Sequence, residues 1–314
     1  MTREERVPGR STLSPLIDRI SHWPWWMLVT IALGLYVILN ILTNDITRDA
    51  FWFISGQDPE AISAGDLIRE GLVMTIYVTF SAYLLSITIG LLMGLGRVSK
   101  NKIIYNFATF YVEIVRGIPM LVLLMSIAIV VVPAVIASFN DLGKWIVELT
   151  NGNFGAGLAD LSSRTVVCLF GTNWCTEPFN NTNRVILGLA VAYGAFSAEV
   201  FRAGIESIER GQMEAARALG MTYFQAMRLV ILPQAVRRIL PALGNDFISM
   251  LKDSSLVSVL GVRDITQLNK LYTSSTFNFV QGYTVLAFFY LTMTILLTRG
   301  VRWMEARLSV GTRK

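Results

Sequence analysis

The sequence predicts an all-α integral membrane fold. Three observations predict it. Hydrophobic residues make up 53% of the 314 residues and charged residues only 16%, where a soluble domain carries about 25% charged. The mean hydropathy is +0.53. Six apolar stretches are long enough for a membrane helix, which needs about 20 residues. They run over Trp23–Leu42, Leu72–Leu95, Ile118–Phe139, Val185–Ala203, Leu240–Val262 and Gly282–Thr298.

The connecting segments then set the orientation. Basic residues crowd alternate segments: Arg3, Arg6, Arg10 and Arg19; then Arg97, Lys100 and Lys102; then the stretch from Arg202 to Arg238; then Arg299 to Lys314. The segments between them hold fewer, and residues 43–71 are acidic, with Asp45, Asp49, Asp58, Glu60, Asp66 and Glu70. Positive charge stays on the cytoplasmic side, so both termini are expected there. The net charge of +5 follows from that bias rather than from nucleic-acid binding. Residues 1–22 read as a cytoplasmic N-terminus. The first apolar run is longer than a secretory signal and no small-residue cleavage pattern follows it, so it reads as a retained anchor. Trp23, Trp25 and Trp26 mark an interface.

Two cysteines exclude a disulfide-dense scaffold and a four-cysteine zinc site, and one histidine, His22, excludes a His-rich metal site. No metal site and no catalytic constellation is expected. Cys168 and Cys175 fall in the long polar outer segment 140–184, flanking the turn-like Gly171-Thr172-Asn173. On an oxidising side a local disulfide closing a small hairpin fits them. Two free thiols fit as well. The spacing is not C-x-x-C, so a redox enzyme is not indicated.

One inside segment is more than a turn. Residues 204–240 carry Met213-Glu214-Ala215-Ala216-Arg217-Ala218-Leu219-Gly220, strong helix formers with Gly220 placed for a left-handed cap. A second helical run starts at Thr222, a good N-cap. Pro233 and Pro241 punctuate the return to the membrane. The expected shape is a helix–turn–helix outside the bilayer, suited to docking on another protein or standing as a surface hairpin.

Charges within spans are costly and are paired or functional. Glu113 and Arg116 stand three apart, as do Glu199 and Arg202, so each pair shares a helix face. Each reads as a structural ion pair at a helix end or as a gate contact. In the fifth stretch Asn245, Ser249, Asp253 and Leu256 run up one face, with Asp246, Met250 and Lys252 nearby. A face this polar does not meet lipid. Asn245, Asp246, Ser249 and Asp253 are expected to line a solute path, with Lys252 and Asp253 alternatively forming an internal pair. Gly90, Gly94 and Gly96 form a small-residue stripe that serves helix packing within one chain or a dimer contact.

Glu214, Ala215, Ala216, Gly220, Val230, Leu232 and Pro233 resemble the E-A-A-x3-G-x9-I-x-L-P motif of permease subunits of bacterial ATP-binding cassette importers, with Val230 at the isoleucine position. Thr75-Ile76-Tyr77-Val78-Thr79-Phe80, Glu113 to Pro119, the Tyr193 to Arg202 stretch and Leu251-Lys252-Asp253-Ser254-Ser255-Leu256 are similar to elements of the polar amino acid branch. The resemblance implies a five-helix permease core over 68–303, with an outer insertion 140–184 and a coupling loop 204–240. An extra N-terminal transmembrane helix and outer loop, 23–67, precede it, and a cytoplasmic tail, 304–314, follows. It implies two ATPase subunits that bind ATP and Mg, no cofactor in this chain, a second permease chain identical or related, and an extracytoplasmic amino acid-binding protein. It places the protein in a bacterial inner membrane, in contact with lipid. No G-x-x-x-x-G-K-[ST] loop occurs, so hydrolysis would belong to a partner chain. An ATP-independent channel or secondary transporter is the alternative; an integral membrane enzyme lacks residues to build a site, including a G-x-S-x-G elbow.

Overall fold

The computed structural model describes residues 25–56, 70–149 and 181–308. Helices dominate, and among the described residues the only β pairing is an isolated bridge between Gly71 and Asp264.

Helix α1 spans Trp25–Thr43 and α2 spans Asp45–Ser55. Asn44 caps α2 through its side chain, and the chain bends by 103° between the two helices. Helix α3, Gly71–Val98, is long and apolar. Helix α4, Lys102–Gly117, begins at the cap Asn101. Helices α5 (Met120–Met125) and α6 (Val132–Leu149) are joined by a π turn over Ser126–Val131. Helix α7 is Asn181–Glu206 and α8 is Arg210–Ala218. The one-turn α9, Tyr223–Ala226, runs through a second π turn, Met227–Ile231, into α10, Leu232–Asp253. A 3-10 segment, Ser254–Leu260, leads to α11 (Ile265–Thr276) and α12 (Phe279–Leu308).

The molecule is organised around the α3–α7 contact. A Cβ on Gly90 would stand 2.5 Å from the Ser197 Cβ, and one on Gly94 would stand 2.7 Å from the Phe201 Cβ. Only glycine admits that approach. The small-residue stripe therefore packs within the chain. Val78 and Ala82 of α3, Leu124 of α5, Leu189 and Tyr193 of α7 and Met250 of α10 form the central core. Phe201, Ile205, Ile231, Ala235 and Ile239 close the end of the molecule next to α8 and α9. Ala50 and Ile54 of α2 pack with Ile265, Val285 and Phe289.

Four features differ from the sequence expectation. Instead of six spans, four helices among the described residues are long and apolar enough to cross a membrane, or five if the bent α1–α2 pair counts as one. The fifth stretch does not run as one helix to Val262. Its α-helix starts at Leu232, ends at Asp253 and tightens into the 3-10 segment, and α10 carries Arg237, Arg238, Asp246, Lys252 and Asp253, too many charges for a lipid-facing helix. The expected loop near Lys102 is instead the amphipathic α4, which turns Ile103, Phe107, Phe110 and Ile114 outward as an apolar stripe.

Pro233 does not interrupt the return to the membrane. Proline clashes with the carbonyl four residues back, which is Leu229 here and lies within the second π turn. Pro133 follows the first π turn in the same register. A π turn widens the helix at that carbonyl, so the helix passes the proline unbroken. Pro241 sits inside α10, which continues through it.

Candidate functional site

The hairpin of α8 and α9 is built by two adjoining caps. Gly220 has φ +82, a conformation other residues resist. The Met221 N–H donates to the Ala216 carbonyl at 3.2 Å, and the Gly220 N–H donates to the Arg217 carbonyl at 3.0 Å. This is the Schellman pattern that ends a helix in a left-handed residue. Two residues later Thr222 opens the next helix. Its N–H donates to Gln225 Oε1 at 2.9 Å, and its Oγ1 accepts from the Gln225 N–H at 3.3 Å, a capping box. The caps fix the turn between α8 and α9.

At the base of the hairpin Arg238 donates to the Ser207 carbonyl. Ala216 and Ala226 are buried. Glu214 and Ala215 are exposed, as are Leu232 and Pro233. At the tip, Leu219 is 80% exposed and Phe224 72% exposed, and Tyr223 and Leu229 are exposed beside them. A turn held this firmly, presenting large apolar side chains on a charged segment, has the shape of a docking knob.

The two expected ion pairs merge into one cluster centred on Glu199. Arg97 of α3 and Arg202 both hydrogen-bond Glu199, and Arg202 also bonds Glu206. Arg116 of α4 stands 3.9 Å from Glu199 and Glu113 stands 3.8 Å from Arg97. Glu113 therefore faces Arg97 rather than Arg116. Arg116 also lies over the Phe196 ring, 5.6 Å from its centroid. Three helices thus meet at one carboxylate, which is a quarter exposed.

The polar residues of α10 divide between two directions. Asn245, Ser249 and Lys252 are exposed and form a stripe facing away from this chain. Asp253 turns inward and accepts a hydrogen bond from Tyr193 Oη at 2.7 Å. It does not pair with Lys252, which is exposed. Asp246 is half-buried, and its Oδ2 is buried without a hydrogen-bond partner. Beside it Tyr83 donates to the Leu243 carbonyl and packs against Phe247 at a tilted angle, with ring centroids 4.9 Å apart. The expected single face of Asn245, Ser249 and Asp253 is therefore split, because Asp253 finds its partner on α7.

Sequence reasoning missed Arg97, Glu206, Tyr83 and Tyr193 as members of these clusters. Arg97 stood in an assumed loop, Tyr83 carried no local signal, and Tyr193 was read as part of a motif stretch without its partner Asp253. Cys168 and Cys175 lie outside the described residues. Among the described residues no group of three His, Cys, Asp or Glu side chains is placed to hold a metal.

Residues 86–310 match the family model described as the binding-protein-dependent transport system inner membrane component. The chain is 32% identical over 242 residues to the Bacillus subtilis (strain 168) protein named "Probable glutamine ABC transporter permease protein GlnM", covering 77% of this chain and 93% of the relative. It is 30% identical over 244 residues to the glutamine transport system permease protein GlnP of Escherichia coli (strain K12), covering 78% and 94%. A solved structure titled as the crystal structure of an amino acid ABC transporter with histidines superposes with a TM-score of 0.58 at 34% identity, covering 76% of this chain and 92% of that one. The match takes in the hairpin, the Glu199 cluster and the polar α10, and the chain belongs to the family of binding-protein-dependent transport system inner membrane components.

Proposed function

We propose that this chain is the permease subunit of an ATP-driven amino acid importer, forming the solute path and coupling to a separate ATPase through residues 204–240. The doubly capped hairpin carries the reading. Its exposed Leu219, Tyr223 and Phe224 offer an aromatic anchor of the kind that dominates binding interfaces. ATP and Mg would be held by two ATPase subunits. Closure of that pair would draw the hairpins together, and α10 would move with them, because π turn and helix are continuous from Thr222 to Asp253.

The path would run along the polar side of α10. Asn245 and Ser249 face outward from this chain, toward a second permease copy or a related chain. Asp246 sits beside them with an unpaired oxygen. A carboxylate, an amide and a hydroxyl suit a zwitterionic solute, which brings both charges. Alternating access around such a site follows the general logic of transporters. A binding protein would deliver the amino acid from outside, with the chain in an inner membrane and both termini in the cytoplasm. The domain plan follows: an anchor before residue 68, a permease core over 68–303, and a short tail.

The test is amino acid uptake into liposomes holding this chain with and without its ATPase partner. Uptake that needs both the partner and internal ATP supports the reading. Uptake by the chain alone, driven by an ion gradient, would replace it with the secondary-transporter alternative.

A further inference from the structure

Helix α1 lies upstream of the residues matched by the family model, which begin at 86. It touches the rest of the molecule along a narrow seam. Thr30, Gly34, Val37 and Ile41 recur at helical spacing and are covered to varying degrees, while Val29, Ile31, Leu33, Leu35, Ile38, Leu39 and Leu42 are exposed. A helix that exposes this much apolar surface in a membrane meets acyl chains.

Where α1 meets α12, a groove remains open between them. It has a volume of about 320 Å³ and is lined by Thr30, Ile31, Thr294, Ile295, Thr298, Arg299 and Arg302. Its walls are apolar for most of their length. Thr298 Oγ1 donates to the Thr294 carbonyl at 2.7 Å, so that hydroxyl is already spent on the helix. The arginines stand together at one end. Both are exposed, and neither forms an ion pair with a described carboxylate, Glu305 on the next turn included.

The depth of that end is set by Trp303. It is 64% exposed and carries the Arg307 guanidinium over its ring, 5.1 Å from the centroid. An exposed tryptophan beside arginines at the end of an apolar helix sits at headgroup level. Arg299 lies one helical turn inward of Trp303, and a turn rises about 5.4 Å. Its side chain reaches back to the interface by extending along the helix.

We propose that the α1–α12 groove is a binding site for one anionic phospholipid of the cytoplasmic leaflet, with the phosphate on Arg299 and Arg302 and an acyl chain along Ile31 and Ile295. The combination decides for a lipid over a free phosphate. Inorganic phosphate would use the arginines and leave the apolar length of the groove unfilled. Basic pockets between transmembrane helices on the cytoplasmic side take anionic headgroups for the same electrostatic reason. The site joins the N-terminal anchor to the last helix of the permease. Lipid bound there cements a contact that few side chains make.

The experiment is native mass spectrometry of the full chain released from detergent, with phosphatidylglycerol and phosphatidylcholine as competing probes. Wild type is expected to retain one phosphatidylglycerol in preference. The double variant R299Q/R302Q should lower that retention by about 30-fold, the joint attraction of two arginines near a headgroup. R307Q removes a charge from the same leaflet outside the groove and should leave retention near wild type. I31W keeps both arginines but fills the groove, and should displace the lipid; it tests the site even if the double variant folds poorly. Equal retention of both lipids by wild type overturns the proposal. So does an equal loss with R307Q, which would mean a general leaflet charge effect. Displacement of the lipid by inorganic phosphate also overturns it, assigning the arginines to a free anion.

Discussion

Glu199 accepts a hydrogen bond from Arg97, a residue 102 positions earlier on another helix. That contact, with Arg202 and Arg116 around the same carboxylate, ties α3, α4 and α7 together. Glu199→Gln leaves three guanidinium groups facing each other without their counter-charge. A loss of about 1–3 kcal/mol is expected, below the range for breaking a fully buried pair because the site is partly solvated. Thermal unfolding in detergent checks it. R97Q/E199Q should recover part of the loss, since removing both partners leaves less uncompensated charge. Strict additivity of the two single variants would show that Arg97 is not the partner that matters.

Gly90→Val should separate α3 from α7. The new Cβ would meet Ser197 at 2.5 Å, and overpacking of this kind costs about 1–3 kcal/mol or more. Gly34→Val is the matched control, because nothing lies within 4 Å of its Cβ position. Yield and melting temperature should fall for the first and not for the second.

Asp264 caps α11 and is fully buried. Its Oδ1 accepts from the Gln267 N–H at 2.8 Å, while Oδ2 has no partner. Burial pushes its pKa up to about 6, against the opposing pull of the Gln267 and Thr266 hydrogen bonds and of Lys270. A carboxylate whose pKa is raised on folding binds its proton more tightly in the folded state. Its contribution is full below the unfolded value of 3.8 and is lost as pH climbs through 6. Stability should therefore fall by up to about 3 kcal/mol across that window. Asp264→Asn keeps a capping oxygen and should flatten the slope, raising the melting temperature at pH 7.5. A variant with an unchanged slope would place the titration elsewhere.

Phe224→Asp and Leu219→Asp change residues with little burial to lose. The fold should hold, with melting temperatures near wild type. Binding of the ATPase partner should weaken by about 2 kcal/mol for each, the scale of an interface anchor. Co-purification at matched concentrations measures it. Partner binding at wild-type strength would move the interface off the hairpin tip.

The hairpin was legible because its signals are local. Gly220 and Thr222 lie two residues apart, and each acts on backbone within five residues of itself. The apolar helices were legible by length. The Glu199 cluster was half legible: its members announced themselves as charges in spans, but Arg97 is paired by tertiary packing that spacing does not encode. Asp253 shows the same limit, since helical periodicity put it beside Ser249 while Tyr193 drew it inward. Pro233 read as a break because the π turn that accommodates it leaves no mark in composition. Helix α4 was hidden by Lys100, just before its cap, and Lys102, its first residue, which read together as a charged turn and obscured the stripe beyond. Helix α10 falls short of the other helices in apolarity because it carries Asp246, Lys252 and Asp253, and Asp253 is held by Tyr193 rather than turned to lipid.

The coupling role proposed for the hairpin rests on the left-handed Gly220. Nothing lies within 4 Å of its Cβ position, so a substitution there acts through backbone strain alone. Valine resists φ +82, and asparagine accepts it. The most direct measurement is ATP-driven amino acid uptake in liposomes containing this chain and its ATPase partner, comparing Gly220→Val with Gly220→Asn. Valine should abolish most uptake while the chain still inserts and holds its melting temperature, and asparagine should keep most of it. Equal uptake by the valine variant and wild type would contradict the account, because the hairpin would then not be what transmits the work of ATP to the membrane helices.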